Sequence, residues 1–301
     1  MKIGICIVFY DDVKHLERLS KALSELTKVN VQVYFTDNSS SFIHVDAFLK
    51  LFPKAIYCRS TDNNGFAGGN NQLAKLAFDE GCELIWILNP DMEPEKECLF
   101  HLINCLNSDS SIEAVGPVLL YDEGGKVQFA GAKVDFKTQD KTALFVDIDK
   151  VELPKNAFQE VDLINGGSVL IRAERVLAEN LFAEEYFMYN DEIDLMRRIN
   201  QGGNKVCIVF SAVCIHHHDW SNKNALSYYR MYYYMMRNKI LYWRKYNQPF
   251  SLFKAMIIYS LKFPIIARFC YRTAGFRLLY YYYLGLFHGY LGKKGRAQLF
   301  K

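Results

Sequence analysis

The chain has 301 residues, half of them hydrophobic, which is enough for one large α/β domain or two modest ones and excludes both a disordered protein and a small disulfide scaffold. Its formal charge of +3 conceals an asymmetry, because residues 221–301 carry fifteen Lys/Arg and no Asp or Glu, while the first 220 residues sum to −12. The same 81 residues hold 14 of the 20 tyrosines, so an acidic body is followed by a basic, aromatic extension whose expected partner is an anionic surface.

From the N-terminus, residues 3–10 (IGICIVFY) and 31–36 (VQVYFT) are β-rich, and leucines at 16, 19, 23 and 26 give helical spacing between them. The alternation continues through 55–58 (AIYC), a helix over roughly 70–80 closed by Gly81, and the apolar run 84–88 (LIWIL). A turn NPDMEPE follows, then a helix over about 95–107 and a strand over 113–120. This order predicts a mainly parallel sheet with helices on both faces. Residues 121–160 are polar and turn-rich, and read as a hairpin plus a mobile segment. Order returns with the strand 161–171, a helix near 173–180, a strand over 205–210 and a further strand run SAVCI. Eight cysteines form no CxxC pair, and the N-terminus lacks a secretory pattern, so a reducing, cytoplasmic setting is expected.

Past Ala225 the apolar stretches are broken by Lys254, Lys262, Pro264, Arg268, Arg272 and Arg277, so none reaches the roughly 18–20 residues needed to span a bilayer. The extension therefore reads as interfacial helices with Lys and Arg among lipid headgroups, the tyrosine excess suiting an interface more than a dry core. The competing reading is helices packed on the body with a basic solvated face.

Four clusters can carry chemistry. Asp91 in Asn89-Pro90-Asp91 follows a buried strand, at the carboxyl edge where open α/β sheets bind ligands, and can hold a hard divalent cation beside substrate phosphates. Asp191, Glu192 and Asp194 lie within four residues, more acids than helix capping needs, next to Phe and Tyr side chains that would desolvate them. His216-His217-His218 ends a strand run and offers a metal ligand, without the spacing of a zinc site. The stretch 62–71 (DNNGFAGGNN) opens a helix, where glycines let backbone N–H groups approach a phosphate, although it is neither a Walker A loop nor a dinucleotide fingerprint.

Taken in order, FYDDVKHL, TDNSS, NNGFAGGNN, WILNPDMEP, INGGSVLIR, FMYNDEIDLMRR and the His cluster resemble the family 2 glycosyltransferases, specifically the rhamnosyltransferase-like branch of bacterial surface polysaccharide synthesis, over about residues 1–245. The resemblance implies a GT-A fold, a three-layer α/β sandwich, over residues 1–220, with 221–301 as a helical membrane-associating extension. It implies donor nucleotide-sugar contacts from Tyr10, Asp37, Asn38, Asn64, Gly65, Phe66, Gly69, Asn70, Asn89 and Asp91. Gly166, Gly167 and Tyr189 are implied in the sugar and acceptor pocket. The family's base falls on Glu192 with Asp191 beside it, the order of the pair being inverted here. A Mg²⁺ or Mn²⁺ ion is implied on Asp91 and a histidine, His216 aligning most naturally and His217 or His218 being alternatives. The implied reaction is inverting transfer from a nucleotide sugar, dTDP-rhamnose favoured, to a lipid-linked saccharide at the inner face of the membrane. Nucleic acid is not an expected partner, and homo-oligomerisation is left open. The rivals are a nucleotidyltransferase and a non-catalytic lipid- or nucleic-acid-binding protein.

Overall fold

The computed structural model of the chain describes residues 1–10, 13–26, 29–39, 45–60, 62–121, 125–178, 180–217, 224–247, 252, 254–261, 275 and 277–300. Strands β1 (Lys2–Phe9), β2 (Asn30–Asp37), β3 (Ile56–Tyr57) and β4 (Leu84–Leu88) lie parallel in the order β3-β2-β1-β4. Alternate β1 residues enter opposite cores. Ile3, Ile5, Ile7 and Phe9 meet helices α1 (Leu16–Glu25) and α2 (Val45–Leu51), while Cys6 and Val8 face helix α3 (Gly65–Asp79). A sheet covered on both faces needs near-continuous apolar strands, and LIWIL is buried at all five positions.

The middle of the sheet departs from the parallel scheme in one consequential way. The predicted strand 161–171 is two strands, β10 (Phe158–Val161) and β11 (Ser168–Arg172), separated by the loop that contains Gly166 and Gly167. Strand β11 is antiparallel to both β4 and β6 (Ile112–Tyr121), with Ser168 opposite Leu88. Its first residue therefore lies beside the last residue of β4, and the Gly166-Gly167 loop is delivered to the carboxyl edge of the sheet. The stretches 205–210 and SAVCI form one strand, β12 (Lys205–His216), with an irregularity between Val209 and Val213. Beyond that bend β12 pairs antiparallel with β5 (Met92–Pro94), His216 opposite Met92, a three-residue pairing that hydrophobic pattern does not reveal.

The remaining body elements are α4 (Cys98–Ser108), β7 (Val127–Phe129), the hairpin β8 (Ala132–Asp135) and β9 (Asp140–Ala143), α5 (Arg175–Ala178) and α6 (Asp191–Gln201). All seven cysteines among the described residues are free thiols.

Two helices of the C-terminal part, α7 (Ala225–Tyr246) and α8 (Arg277–Tyr290), pack on each other, α7 packs on the body, and residues 254–261 are also helical. Gly285 and Gly289 allow the close approach, since a Cβ on either would stand 2.4 Å from the Tyr233 carbonyl or 2.6 Å from that of Arg237. Much of the tyrosine excess is core rather than interface. Tyr233, Tyr234, Tyr242, Tyr259 and Tyr282 are buried with their hydroxyls bonded, to His288, the Ala297 N–H, Arg197, Thr138 and the Tyr259 carbonyl respectively. Among the described residues no helix is long and apolar enough to cross a membrane.

Candidate active site

The carboxyl ends of β1, β2 and β4 open on a cavity of about 260 Å³ lined by Tyr10, Asn38, Asn63, Gly65, Phe66, Asn89 and Asp91. Phe187, Met188, Arg230, Tyr234, Arg296 and Phe300 also line it. Six of the expected donor contacts thus share one space, while Asp37, Asn64, Gly69 and Asn70 do not line it.

Each of those four has a local task. Asp37 is buried at the end of β2, where its Oδ1 accepts the Ser39 N–H at 2.8 Å, and Asn38 is the residue that reaches the cavity. Asn38 Nδ2 donates to the Gly65 carbonyl at 2.9 Å, tying the end of β2 to the start of α3. Asn64 Nδ2 donates to the Ser60 hydroxyl, and Asn70 Nδ2 to the Phe66 carbonyl. A Cβ on Gly69 would stand 2.9 Å from Val8, so that glycine lets α3 lie close on β1.

The glycine-rich stretch opens α3 as expected, and the helix starts at Gly65, five residues before the span of roughly 70–80 that its spacing suggested. Its N-terminal N–H groups do not all stand open for a phosphate. Phe66 and Ala67 donate to the Phe187 carbonyl at 2.8 and 3.3 Å, and the Gly65 N–H to Asn63 Oδ1 at 2.8 Å. Gly65 has φ +70° and a Cβ there would lie 2.2 Å from the Phe187 oxygen, so only glycine fits.

Phe187, Tyr189 and Asn190 all occupy the left-handed region, at φ 68°, 65° and 67°. Such strain persists only where surrounding contacts over-determine it. Here the contacts come from two buried polar residues of α7. Asn238 Nδ2 donates to the Tyr186, Met188 and Tyr189 carbonyls at 3.0, 2.7 and 2.9 Å. Arg237, 1% exposed, donates to the Tyr186 and Gly295 carbonyls, and its Nε to Asn238 Oδ1. Sequence reasoning missed this pair. The available signal was an Arg-Asn dipeptide inside an aromatic helix with no acid nearby to serve it.

The three acids that follow have three different environments. Asp191 is 2% exposed, and burial, reinforced by the neighbouring Glu192 charge, raises its carboxyl well above the aspartate range. Burial also pushes Glu192 upward, but the Lys141 ammonium at 3.1 Å and a hydrogen bond with Asp191 together outweigh it and hold this carboxyl below the glutamate range. Asp194 is fully buried, and against the upward effect of burial Lys245, Tyr246 and Arg198, at 2.8, 2.7 and 2.9 Å, keep it ionised. It fastens α6 to the end of α7. Tyr189, pushed up to about 12 by burial, keeps its hydroxyl proton and lies outside the cavity lining.

Gly166 and Gly167 connect the acidic helix to the Asn89-Asp91 turn. A Cβ on Gly166 would meet the Glu192 Cβ at 3.2 Å, and one on Gly167 the Asn89 Nδ2 at 3.0 Å. The Asn89 N–H also donates to the Gly167 carbonyl at 2.8 Å. Glu192 and Asn89 thus flank one dipeptide.

The β5–β12 pairing sets His216 against Asp91, with Nε2 to Oδ2 at 3.3 Å. His216 Nδ1 is engaged by Gln128 Oε1 at 2.6 Å, so the other ring nitrogen is the one aimed at the carboxylate. A carboxylate oxygen and an imidazole nitrogen converging in this way fit a divalent cation, with ligand oxygens completing its shell. Among the described residues no group of three or more His, Cys, Asp or Glu forms such a site. His217 is committed elsewhere, between Glu93 at 2.6 Å and Arg18 at 3.0 Å, and stacks on His15. His218 lies outside the described residues.

Residues 4–149 match the family described as Glycosyl transferase family 2. This is a family 2 glycosyltransferase domain. The glycosyltransferase is 24% identical over 232 residues, 71% of its own length and 76% of the relative's, to an N-acetylglucosaminyl-diphospho-decaprenol L-rhamnosyltransferase of Mycobacterium tuberculosis. It is 25% identical over 208 residues, 62% of its length and 76% of the relative's, to rhamnosyltransferase WbbL of Escherichia coli. These relatives put it on the rhamnosyltransferase-like branch. Among solved structures, GalNAc-T7 with UDP, GalNAc and Mn²⁺ superposes with a TM-score of 0.63 at 15% identity, covering 81% of the glycosyltransferase and 48% of that chain. Staphylococcus aureus TarS 1–349 superposes with a TM-score of 0.53 at 14% identity over 80% and 65%. The fold is that of the GT-A glycosyltransferases.

Proposed function

We propose that the enzyme transfers a sugar with inversion from a nucleotide-sugar donor, dTDP-rhamnose being favoured, to a hydroxyl of a lipid-linked saccharide in bacterial surface polysaccharide synthesis. The observation that carries this reading is the single cavity shared by Asn38, Gly65, Asn89 and Asp91, with Glu192 one glycine pair away. In it, Glu192 takes the acceptor hydroxyl proton as that oxygen attacks the anomeric carbon and the nucleoside diphosphate leaves. Burial favours the neutral form of Asp191 beside it, so the Asp191-Glu192 pair carries one negative charge rather than two. Asn38, Asn63 and Tyr10 surround the nucleoside, and Phe66 and Phe187 close the cavity floor. Asp91 and His216 would hold Mg²⁺ or Mn²⁺, which when bound supplies positive charge to the departing diphosphate. The Mycobacterium relative's name supports a polyprenyl-diphosphate-linked acceptor for this chain.

Peripheral attachment to an anionic membrane is part of the same proposal. Tyr280, Tyr283, Phe287 and Tyr290 are exposed at helical spacing along α8, and Ile257, Ile258 and Leu261 are exposed on the preceding helical turns. Exposed Lys254, Arg277 and Lys293 belong to the same part of the chain. Aromatic side chains with flanking cations suit the headgroup region. The double substitution Tyr283→Glu with Phe287→Glu should abolish co-sedimentation with phosphatidylglycerol vesicles while donor turnover on a soluble acceptor persists. Unchanged sedimentation would remove this face from the proposal.

A thermal-shift panel of nucleotide sugars with and without Mn²⁺ tests the central reading, since a ligand at 100 times its Kd stabilises the native state by about 2.7 kcal/mol. dTDP-rhamnose should give the largest shift, and turnover should release dTDP. Release of pyrophosphate would favour a nucleotidyltransferase, and no shift with any nucleotide sugar would overturn the assignment.

A further inference from the structure

We propose that Arg230 and Arg296, both from the C-terminal helical part, form a two-guanidinium clamp for a diphosphate in the active-site cavity. The inference rests on the glycosyl-transfer reading and adds to it the residues that grip the leaving group.

Both side chains line the cavity together with Asn38, Asn89 and Asp91. Other arginines of the body are consumed by internal partners, Arg175 by Glu113, Arg198 by Asp194, Arg237 by carbonyl oxygens. Among the described residues, Arg230 and Arg296 have no carboxylate within ion-pair distance. The Arg230 guanidinium carbon instead stands 5.8 Å from the Tyr10 ring and 5.9 Å from the Phe300 ring, and its Nε is buried with no hydrogen-bond acceptor.

Arg296 is held in place through its neighbours. The Gly295 N–H donates to the Glu185 carbonyl at 2.9 Å, the Gly295 carbonyl accepts from Arg237, and the Ala297 N–H donates to the Tyr234 hydroxyl at 2.8 Å. Burial raises the pKa of that hydroxyl, and Arg237, Arg230 and Arg296 all act electrostatically against it, so the two cavity cations lie near the same Tyr234 hydroxyl. A backbone pinned at residues 295 and 297 removes the backbone share of the ordering cost when ligand arrives.

Two cations lacking counter-charge in a partly enclosed cavity call for an anion, and guanidinium forks match phosphate oxygens in pairs. A diphosphate spans two such groups and would be neutralised by them in the cavity that Asp91 also lines. The same chemistry exists in a nucleotide-sugar donor and in a polyprenyl-diphosphate acceptor. The amide groups of Asn38 and Asn63 in the same lining favour the donor.

The test is calorimetric titration of the full chain and of Arg230→Gln, Arg296→Gln and the double variant with dTDP, UDP, dTMP and farnesyl diphosphate, in Mn²⁺. Each single change should weaken nucleoside diphosphate binding by roughly 10- to 100-fold, and dTMP binding by less than about threefold. Arg230→Lys and Arg296→Lys should recover part of the loss. In turnover, donor KM should rise while acceptor KM holds. Melting temperatures of the unliganded variants, close to that of the parent, establish that they fold. Loss of farnesyl diphosphate binding in place of dTDP or UDP binding would support the clamp and assign it to the acceptor. Diphosphate affinity unchanged in the double variant, or dTMP and dTDP weakened equally, would overturn it. A parent protein that binds no nucleotide at all would count instead against the glycosyl-transfer reading.

Discussion

Two parts of the cavity lining are built on different principles. The part at the sheet is made of residues at strand ends, Tyr10, Asn38, Asn89 and Asp91, whose positions follow from the registers of β1, β2 and β4. The other part is made of residues whose positions follow from polar side chains buried in a helix, Arg237 and Asn238 reaching out to carbonyls of segments 185–189 and 295. The first can be located wherever a strand can be located. The second depends on which carbonyl a buried donor finds, which no periodicity encodes. The segment 186–190 belongs to both, since its Phe187 carbonyl caps α3 and its other carbonyls are held by Asn238.

The sharpest way to break this contrast is at the acid pair. Glu192→Gln should lower kcat by about 10²- to 10⁴-fold with donor binding retained, the ordinary cost of losing a general base. Asp191→Asn, which replaces a carboxyl already held neutral by burial, should cost less than about tenfold. Single-turnover rates of the two variants decide it, and the reverse order would exchange their roles.

A smaller but still large effect is expected at α7. Asn238→Ala leaves three carbonyls without their donor, costing about 1–3 kcal/mol and lowering Tm by roughly 2–10 °C. Because those carbonyls fix the approach to α6, kcat should fall as well, although Asn238 touches no substrate. Scanning calorimetry with turnover at a temperature where the variant is folded checks both parts. An unaffected kcat would make α7 a support for the fold alone.

The smallest effect is a shift in pH response. Lys141 depresses the Glu192 carboxyl, so the base stays ionised, and activity persists, to a pH below the usual glutamate range before falling. The same depressed pKa stabilises the fold above the unfolded glutamate value, a contribution lost as pH falls through the folded one. In Lys141→Met the main charge opposing burial is lost, the carboxyl pKa rises, and the acid limb of kcat should move to higher pH. A limb that stays in place would separate Glu192 from the kinetic base.

The same contrast explains what the sequence revealed. The strands over 3–10, 31–36 and 84–88, and Asp91 at a carboxyl edge, were legible because a two-sided apolar strand must read as it does. The start of α3 at Gly65 was not, because its capping acceptor, the Phe187 carbonyl, lies 122 residues away. The reading of the tyrosines as an interface failed for Tyr233, Tyr234 and Tyr282 because composition does not record that their hydroxyls find internal partners. Three acids close together could be flagged, yet only the positions of Lys141, Lys245 and Gly166 sort them into different tasks.

The short ladder between β5 and β12 has a thermodynamic consequence. Three residue pairs hold His216 beside Asp91, and β5 ends in a proline that has no N–H to give. Fraying of that edge would part the two proposed metal ligands while the parallel half of the sheet stays intact, so affinity at the proposed site would gauge local opening rather than global unfolding. Manganese titrated across a temperature ramp should then be released below the main melting transition, and donor or product bound against the ion should push that release upward.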